Sequence, residues 1–164
     1  MQQRFQKINI LMAEDDADDR LLTQEAMTEA KLSNELHFVE DGEELMDYLH
    51  QRGKYAANPP PKPGLILLDL NMPRKDGREA LKEIKSDPEL RKIPVVILTT
   101  SKAPDDVTQT YDLGANSYIA KPITFDALVD IARSLGKYWF EIVELPEQDS
   151  KTRTVQTAGA AGTK

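Results

Sequence analysis

The sequence contains no cysteine, which excludes disulfide bonds, thiolate nucleophiles and metal sites built on thiolates. It has no apolar run long enough to cross a membrane, and residues 1–15 do not resemble a signal peptide. Basic residues are also few: the chain has 21 basic and 28 acidic residues, so its net charge is −7. This balance argues against nucleic acid as a direct partner, because phosphate contacts need a basic surface. We therefore expect a cytoplasmic globular protein that binds neither nucleic acid nor membrane.

Histidine is scarce as well. His37 and His50 have no second histidine nearby, so neither is expected to be a metal ligand or a catalytic base. The chemistry of this chain must come from its other polar residues.

The stretch from Leu65 to Gly77 organises the rest of the chain. Four apolar residues end abruptly at the carboxylate of Asp69, and turn-forming residues follow. A short apolar run between proline and glycine is typical of a strand buried on both faces of a parallel sheet. An acid at the carboxyl end of that strand lies where open α/β sheets bind ligands. Alternatively, Asp69 only caps a strand or begins a turn, and this stretch alone does not separate the two interpretations.

A cluster of acids follows the first apolar run, residues 8–13. Its members are Glu14, Asp15, Asp16, Asp18 and Asp19. One or two of them would serve as a helix N-cap and complement the helix dipole. Five within six positions exceed that need, because like charges repel, so the cluster favours a cation site.

Strand and helix patterns alternate five times along the chain. Strands are predicted at residues 8–13, 36–40, 65–68, 94–100 and 117–120, and helices at 18–30, 43–50, 76–86, 104–113 and from 125 onward. Apolar positions in the first helix are Leu21, Leu22, Ala26 and Met27; those in the last are Phe125, Leu128, Ala132, Leu135 and Trp139, with a second stripe at Ile131, Tyr138 and Ile142. This alternation predicts an α/β fold: a doubly wound, five-stranded parallel sheet flanked by five helices.

Polar residues follow four of the predicted strands, and in a parallel sheet these strand ends share one edge. Glu14 and Asp15 follow the first strand, Asp69 the third, Thr99 ends the fourth and Lys121 follows the fifth. Carboxylates brought together have raised pKa values unless something neutralises them. Mg²⁺ suits such an oxygen site, and Lys121 adds a point charge able to hold an anion. The set predicts a phosphoryl-transfer site with a carboxylate nucleophile.

In their order and spacing these motifs resemble the response-regulator receiver domains of two-component signalling, whose fold is flavodoxin-like. The resemblance covers roughly residues 8–144 and is carried by Glu14-Asp15, LLDLNMPRKDG around Asp69, LTTS around Thr99, and GANSYIAKP ending in Lys121-Pro122. It implies that Asp69 is the phosphoacceptor, that Thr99 and Lys121 bind the phosphoryl oxygens, and that Tyr118 is an aromatic switch. The implied Mg²⁺ ligands are Asp15 and Asp69 by side chain, Asn71 by its backbone carbonyl and Glu14 through water. The Lys121–Pro122 bond is expected to be cis, as in the family.

The long segment Gln51–Pro63 departs from the commonest receiver pattern. Together with HQRGKY, DLNMPRKDGREALKEIK and YWFEIVELP, it resembles a narrower group, the stand-alone response regulators paired with phytochrome histidine kinases in cyanobacteria and other bacteria. The resemblance implies a single-domain switch that takes its phosphoryl group from a sensor histidine kinase. Attachment at Asp69 would draw Thr99 in, let Tyr118 turn inward and reshape a protein-binding surface.

We expect residues 1–146 to form the receiver domain and residues 147–164 a disordered tail, with no output domain. The outer apolar stripe of the last helix, Tyr138, Phe140 and Ile142, predicts a homodimer contact in the region of the fourth and fifth helices. Alternatively, these three residues fold back on the body of the domain.

Two other functions fit parts of the sequence. An aspartate-nucleophile phosphatase uses a similar residue set, but such enzymes usually carry a second acid two positions after the nucleophile, where this chain has Asn71. A constitutive docking module would need no phosphate, and the intact acid set argues against it. The interpretation preferred here is a phosphoacceptor signalling protein, not an enzyme with a separate substrate.

Overall fold

The computed structural model describes residues 8–138, and within them strands and helices alternate as the sequence predicts. The strands are β1 (Ile10–Ala13), β2 (Leu36–Val39), β3 (Leu65–Leu68), β4 (Val95–Thr99) and β5 (Ser117–Ala120). The helices are α1 (Ala17–Glu29), α2 (Gly42–His50), α3 (Gly77–Ser86), α4 (Pro104–Leu113) and α5 (Phe125–Leu135). Short 3₁₀ turns lie at Gly53–Tyr55 and Leu90–Lys92.

The five strands form one parallel sheet in the order β2-β1-β3-β4-β5, so the fold prediction is confirmed. β1 and β3 are neighbours in the middle of the sheet, with Ala13 opposite Leu68. β4 lies between β3 and β5, with Thr99 opposite Ala120. Because all strands run the same way, the residues that follow β1, β3, β4 and β5 meet at one edge of the sheet.

The three central strands, β1, β3 and β4, are buried throughout, and all of their residues except Thr99 are apolar, as a strand covered on both faces requires. Leu65 and Leu67 point to the layer that contains α1 and α5. Ile66 and Leu68 point to the opposite layer, whose core contains buried residues of α2 and α3. Successive side chains of β3 thus pack alternately into two separate hydrophobic cores, as the two-residue period of a strand requires.

Local signals fix the helix ends. Asp16, Asp41 and Thr124 cap α1, α2 and α5 by accepting hydrogen bonds from backbone amides of the first turn. Asp76 begins α3 with a capping box that Glu79 completes. α4 begins at a proline and ends before a left-handed glycine, as predicted.

Only two of the four apolar positions of α1, Ala26 and Met27, are buried. Leu21 and Leu22 are 57% and 41% exposed, whereas Thr23, Ala26 and Met27 are buried. Thr23 can be buried because its hydroxyl donates to the carbonyl of Asp19, so its polar group is satisfied within the helix. The helix face is therefore set by packing against α5 and not by the most apolar positions.

The packing face of α5 also differs in part from the prediction. Ala132 and Leu135 are buried as expected, but Val129 is buried with them and Phe125 is 38% exposed. Tyr138 is 52% exposed, while Trp139, Phe140 and Ile142 lie outside the described residues. No helix among residues 8–138 is both long and apolar enough to span a bilayer.

Candidate functional site

Three carboxylates meet at the carboxyl edge of the sheet. Each of Glu14, Asp15 and Asp69 offers an oxygen within 4.8 Å of the others. Glu14 is fully buried, Asp69 is nearly so, and Asp15 is exposed. Their proximity follows from the pairing of β1 with β3, which continues past the strand ends as the Asp69 amide donates to the Ala13 carbonyl at 3.1 Å. The structure thus brings together the acids that the sequence placed at two strand ends.

Lys121 reaches this cluster from the end of β5. Its Nζ donates to Glu14 Oε1 at 2.5 Å, to Asp19 Oδ2 at 2.8 Å and to Asp69 Oδ2 at 3.3 Å. Its backbone amide donates to the Thr99 carbonyl at 2.8 Å, which fixes the root of the side chain beside β4. One cation is therefore shared among three carboxylates from three different elements.

Burial and charge shift the pKa values in this cluster. Burial raises the pKa of Glu14 to about 7; the hydrogen bond from Lys121 opposes this rise, and the charge of Asp69 adds to it. Burial by itself would lower the pKa of Lys121, but its hydrogen bonds to Asp19 and Glu14 outweigh burial and hold that pKa above its ordinary value. The charged form of Lys121 is therefore favoured, whereas burial disfavours the charged form of Glu14.

The acid cluster after β1 both caps a helix and contributes carboxylates to the edge of the sheet. Asp16 is the N-cap of α1 and accepts from the amides of Asp18 and Asp19 at 2.8 and 3.1 Å. Glu14 and Asp15 face the sheet edge. Asp19 was not singled out as a site residue, yet it binds Lys121. Its spacing of four residues from Asp15, about one helical turn, is a weak signal that could have pointed to it.

Thr99 and Asn71 lie where the sequence placed them, at the ends of β4 and β3. Thr99 is fully buried, and its Oγ1 accepts from the Ser101 amide at 3.4 Å. The Asn71 amide donates to Asp69 Oδ1 at 3.4 Å. This contact closes a short turn directly after Asp69 and holds the Asp69 carboxylate beside the backbone amide of Asn71.

The turn after Asp69 is held by a close approach of Gly77. The Gly77 amide donates to the Leu70 carbonyl at 2.9 Å. A Cβ on Gly77 would lie 2.2 Å from the Asp69 carbonyl oxygen and 2.7 Å from the Leu70 Cα, so no side chain fits here. A glycine at the first position of α3 therefore positions Asp69.

Tyr118 lies apart from the acids, in the middle of β5. Its ring is partly buried against the core on the α2 and α3 side of the sheet. Its hydroxyl donates to the Ser101 carbonyl at 2.9 Å, and its amide donates to the Tyr111 hydroxyl at 3.1 Å. Tyr118 thus contacts the loop after β4 and not the carboxylates.

The prediction of a cis Lys121–Pro122 bond was wrong, because this peptide bond is trans. The trans form is the lower-energy isomer of most X–Pro bonds, by about 0.5–1 kcal/mol. Lys121 reaches all three carboxylates with the bond in this form.

The donor set fits a hard divalent cation. The site offers carboxylate oxygens only, two of its three acids are buried, and their mutual repulsion is only partly relieved by Lys121. Oxygen ligands of this kind suit Mg²⁺, Mn²⁺ or Ca²⁺. The cluster therefore has the composition of a divalent-metal site.

This fold and this arrangement of acids, hydroxyl and lysine define a receiver domain. Residues 10–133 match the response regulator receiver domain family, and the chain belongs to that family. The resemblance inferred from the motifs is thereby confirmed.

Individual relatives place the chain near the response regulators of phytochromes. Response regulator Rcp1 of Synechocystis sp. is 44% identical over 137 residues, which cover 84% of this chain and 92% of Rcp1. The crystal structure of the Mn²⁺-bound form of Rcp1 matches with a TM-score of 0.78 over 85% of this chain and 99% of that chain. The phosphorylated cyanobacterial phytochrome response regulator RcpA is 44% identical, with a TM-score of 0.80 over 87% of this chain and 100% of that chain. The bacteriophytochrome response regulator RtBRR is 39% identical, with a TM-score of 0.69 over 96% of this chain and 95% of that chain.

Proposed function

We propose that this protein is a phosphorylation switch in which Asp69 accepts a phosphoryl group from a sensor histidine kinase of the phytochrome type. The observation that supports this most directly is the position of Lys121, whose ammonium lies among the carboxylates at the ends of β1 and β3. A cation held beside a nearly buried aspartate stabilises the negative charge that a phosphoryl group brings.

On this chain, the groups that take part in the transfer lie at this edge of the sheet. A carboxylate oxygen of Asp69 attacks the phosphorus of a phosphohistidine, and the new O–P bond forms as the N–P bond breaks. The histidine nitrogen keeps the electron pair and takes a proton from solvent. Lys121 exchanges one of its carboxylate partners for a phosphoryl oxygen, and the Thr99 hydroxyl donates to another.

Mg²⁺ is the proposed cation, with Asp15 and Asp69 as side-chain ligands, the Asn71 carbonyl as a third and Glu14 through water. A bound Mg²⁺ would supply positive charge that offsets the charge of the phosphoryl group. Glu14, Asp15 and Asp69 already lie close enough to share one ion. Lys121 and Thr99 then need only to orient the phosphoryl group.

The signal would leave the site through Thr99 and Tyr118. Movement of Thr99 toward the phosphoryl group changes the loop after β4, whose Ser101 carbonyl now holds the Tyr118 hydroxyl. The space that Thr99 vacates lets Tyr118 turn further inward from its partly buried position and alters the surface of α4, β5 and α5. We propose that this surface binds the next protein in the pathway.

The protein is also expected to have two partners, a kinase and a second copy of itself. RcpA is a phytochrome response regulator, and the likeness to RcpA supports a phytochrome-type kinase as partner. A homodimer through α4, α5 and Tyr138, with Phe140 and Ile142 beyond the described residues, is proposed from the apolar stripe of the last helix. Light scattering with and without phosphorylation tests the dimer, and a monomeric mass in both states contradicts it.

A receiver domain over residues 1–146, a disordered tail over 147–164 and a cytoplasmic location stay predictions.

Intact-mass measurement tests the phosphoacceptor. Wild type and Asp69→Asn are incubated with acetyl phosphate and Mg²⁺, with and without chelator, and then with a phosphorylated phytochrome-type kinase. We expect a single labile phosphoryl adduct that requires Asp69 and the metal. No adduct from either donor would contradict the proposal and favour the docking module. Steady release of phosphate from a small phosphate ester would instead favour the phosphatase.

A further inference from the structure

Lys121 has one carboxylate partner that lies outside the group of acids at the edge of the sheet. Asp19, in the first turn of α1, accepts from Lys121 Nζ at 2.8 Å through its Oδ2. Among the described residues, the acids whose oxygens lie within 4.8 Å of one another are Glu14, Asp15 and Asp69, and Asp19 does not belong to this group. Asp19 is therefore placed to bind the lysine but not to share a cation with the other acids.

The backbone of Asp19 is anchored on both sides. Its amide donates to Oδ1 of the N-cap residue Asp16 at 3.1 Å. Its carbonyl accepts from the hydroxyl of the buried Thr23 at 2.8 Å. An aspartate side chain is short, so its carboxylate stays near the point where the backbone holds it. Asp19 thus presents its carboxylate to Lys121 from a fixed position on α1.

Lys121 occupies the carboxylate oxygens that a bound cation would need. Its Nζ contacts Glu14 Oε1 at 2.5 Å and Asp69 Oδ2 at 3.3 Å. The second oxygen of each of these carboxylates already accepts from a backbone amide. Glu14 Oε2 accepts from Asp16 at 3.1 Å, and Asp69 Oδ1 accepts from Asn71 at 3.4 Å. Lysine and cation therefore compete for the same two oxygens.

An ammonium group that gives up those oxygens needs another partner. It has three donors, and in this structure Lys121 directs them at three carboxylates. The Lys121 side chain is only 13% exposed, so water cannot fully solvate its charge at this position. Asp19 is the one of the three partners that is not among the proposed metal ligands. Lys121 can therefore remain bound to Asp19 while a cation takes the other two carboxylates.

A simpler interpretation is that Asp19 only complements the dipole of α1. An acid in the first turn of a helix has this effect, and the exposed Asp18 beside it has the same one. The dipole does not require contact with a lysine 102 residues away, and Asp18 forms no ion pair with Lys121. The contact with Lys121 thus gives Asp19 a role that its neighbour lacks.

We propose that Asp19 is a positioning residue that keeps Lys121 beside the site when a divalent cation takes over Glu14 and Asp69. By retaining the ammonium, Asp19 lowers the cost of its release from those two acids and so strengthens cation binding. This inference rests on the proposed function for the identity of the metal site. It concerns cation binding alone, so it can be tested without any phosphoryl group.

Loss of the Asp19 carboxylate should weaken the binding of Mg²⁺. Without it, release of Lys121 forfeits a charge-assisted hydrogen bond at partial exposure, for which a loss of about 5-fold in affinity is expected. We therefore expect Asp19→Asn to raise the Mg²⁺ dissociation constant of the unphosphorylated protein about 5-fold in calorimetric titration. Asp18→Asn is the matched control, because it removes the same charge from the same helical turn. It should change the dissociation constant by less than about twofold, since exposed charges are screened.

Lys121→Gln separates the contact with the lysine from the plain charge of Asp19. Removal of the competing ammonium should tighten Mg²⁺ binding. In that background Asp19→Asn should change the dissociation constant by less than about twofold, because no lysine is left to position. An equal loss of affinity from Asp19→Asn in both backgrounds would overturn the proposal, since Asp19 would then act on the cation by charge alone.

The reactivity of the Lys121 amine is a second readout. Wild type, Asp18→Asn and Asp19→Asn are treated with N-hydroxysuccinimidyl acetate at one pH and saturating Mg²⁺, and acetylation is followed by peptide mass spectrometry. We expect Lys121 to react about 5-fold faster in Asp19→Asn than in the other two proteins, because a carboxylate-bound ammonium is a poor nucleophile. Lys85, whose Nζ donates to the carbonyls of Arg91 and Ile93, is the internal reference. Equal Lys121 rates in the three folded proteins would contradict the proposed contact.

The proposed function and this inference fail separately. A wild type that binds Mg²⁺ but takes up no phosphoryl group would defeat the proposed function, while the dissociation constants and the Lys121 rates would still decide the role of Asp19. A wild type without measurable Mg²⁺ binding would overturn the inference itself, because no cation would then compete with Lys121.

Discussion

Replacing Gly77 with alanine tests whether the packing of α3 positions the phosphoacceptor. The backbone of Gly77 lies outside the left-handed region, so alanine is allowed by its own torsion angles. The obstacle is space, because the added Cβ would lie 2.2 Å from the Asp69 carbonyl oxygen and 2.7 Å from the Leu70 Cα. Both of these neighbours are backbone atoms, so neither can rotate away.

The cost follows from that geometry. Ordinary contact begins at 3.4 Å, so the turn after Asp69 must retreat by about 1 Å. Overpacking of this kind costs about 1–3 kcal/mol, and the strained Gly77–Leu70 hydrogen bond adds about 1 kcal/mol. We expect Gly77→Ala to lower the free energy of unfolding by about 2–4 kcal/mol. A displacement of about 1 Å at a reacting group costs about 100-fold in rate, so phosphorylation of Asp69 should slow by that order.

Gly136→Ala provides a matched control. Its Cβ would also be crowded, at 2.4 Å, but by Cδ2 of Leu32, the far end of a flexible side chain remote from Asp69. Gly136 is helical, so alanine gains propensity there and the net change should stay below about 1 kcal/mol. Urea unfolding and the acetyl phosphate rate are measured for both variants. Wild-type stability and rate in Gly77→Ala would refute the argument.

Three further predictions follow from the described contacts. Asp16→Ala should lose about 1 kcal/mol of stability in urea, because it removes the cap of α1, yet should keep a phosphorylation rate within about twofold of wild type. The hydrogen bond from Arg78 is the main cause that lowers the pKa of Asp106 to about 2. The contribution of Asp106 to the free energy of unfolding is therefore complete above about pH 4 and is lost as the pH falls toward 2. Asp106→Asn should flatten that part of the pH profile of stability measured in urea. Mg²⁺ at about ten times its dissociation constant should stabilise the protein by about 1.4 kcal/mol, which raises Tm by about 3–6 °C. Asp15→Asn should show a smaller rise in Tm at the same Mg²⁺ concentration. An equal rise would exclude Asp15 as a ligand.

The sheet could be predicted because its signals are local. β3 is a four-residue apolar run between Gly64 and Asp69, and β5 and α4 have the predicted limits. The alternation of such runs with helical segments leaves little choice of topology, since parallel crossovers are nearly always right-handed. Placing the polar strand ends on one edge then required only that the sheet be parallel.

The contacts within the site could not be predicted in the same way. Lys121 and Asp19 are 102 residues apart, and Arg78 and Asp106 are 28 apart, so no periodic pattern links them. Their pairing depends on side-chain rotamers and on how α1, α3 and α4 pack. The exposure of Leu21 has the same origin, because hydrophobic periodicity does not reveal which face a neighbouring helix will cover.

Two ionic clusters of this chain are built on different cations. Lys121 divides one charge among Glu14, Asp19 and Asp69, and its hydrogen bonds to Asp19 and Glu14 hold its pKa above the ordinary value. Arg78 binds Asp106 through two hydrogen bonds of equal length and also pairs with Asp76 at 2.9 Å. The two contacts therefore differ in geometry: Lys121 is a point charge that several oxygens share, whereas the planar guanidinium of Arg78 fixes the orientation of the Asp106 carboxylate.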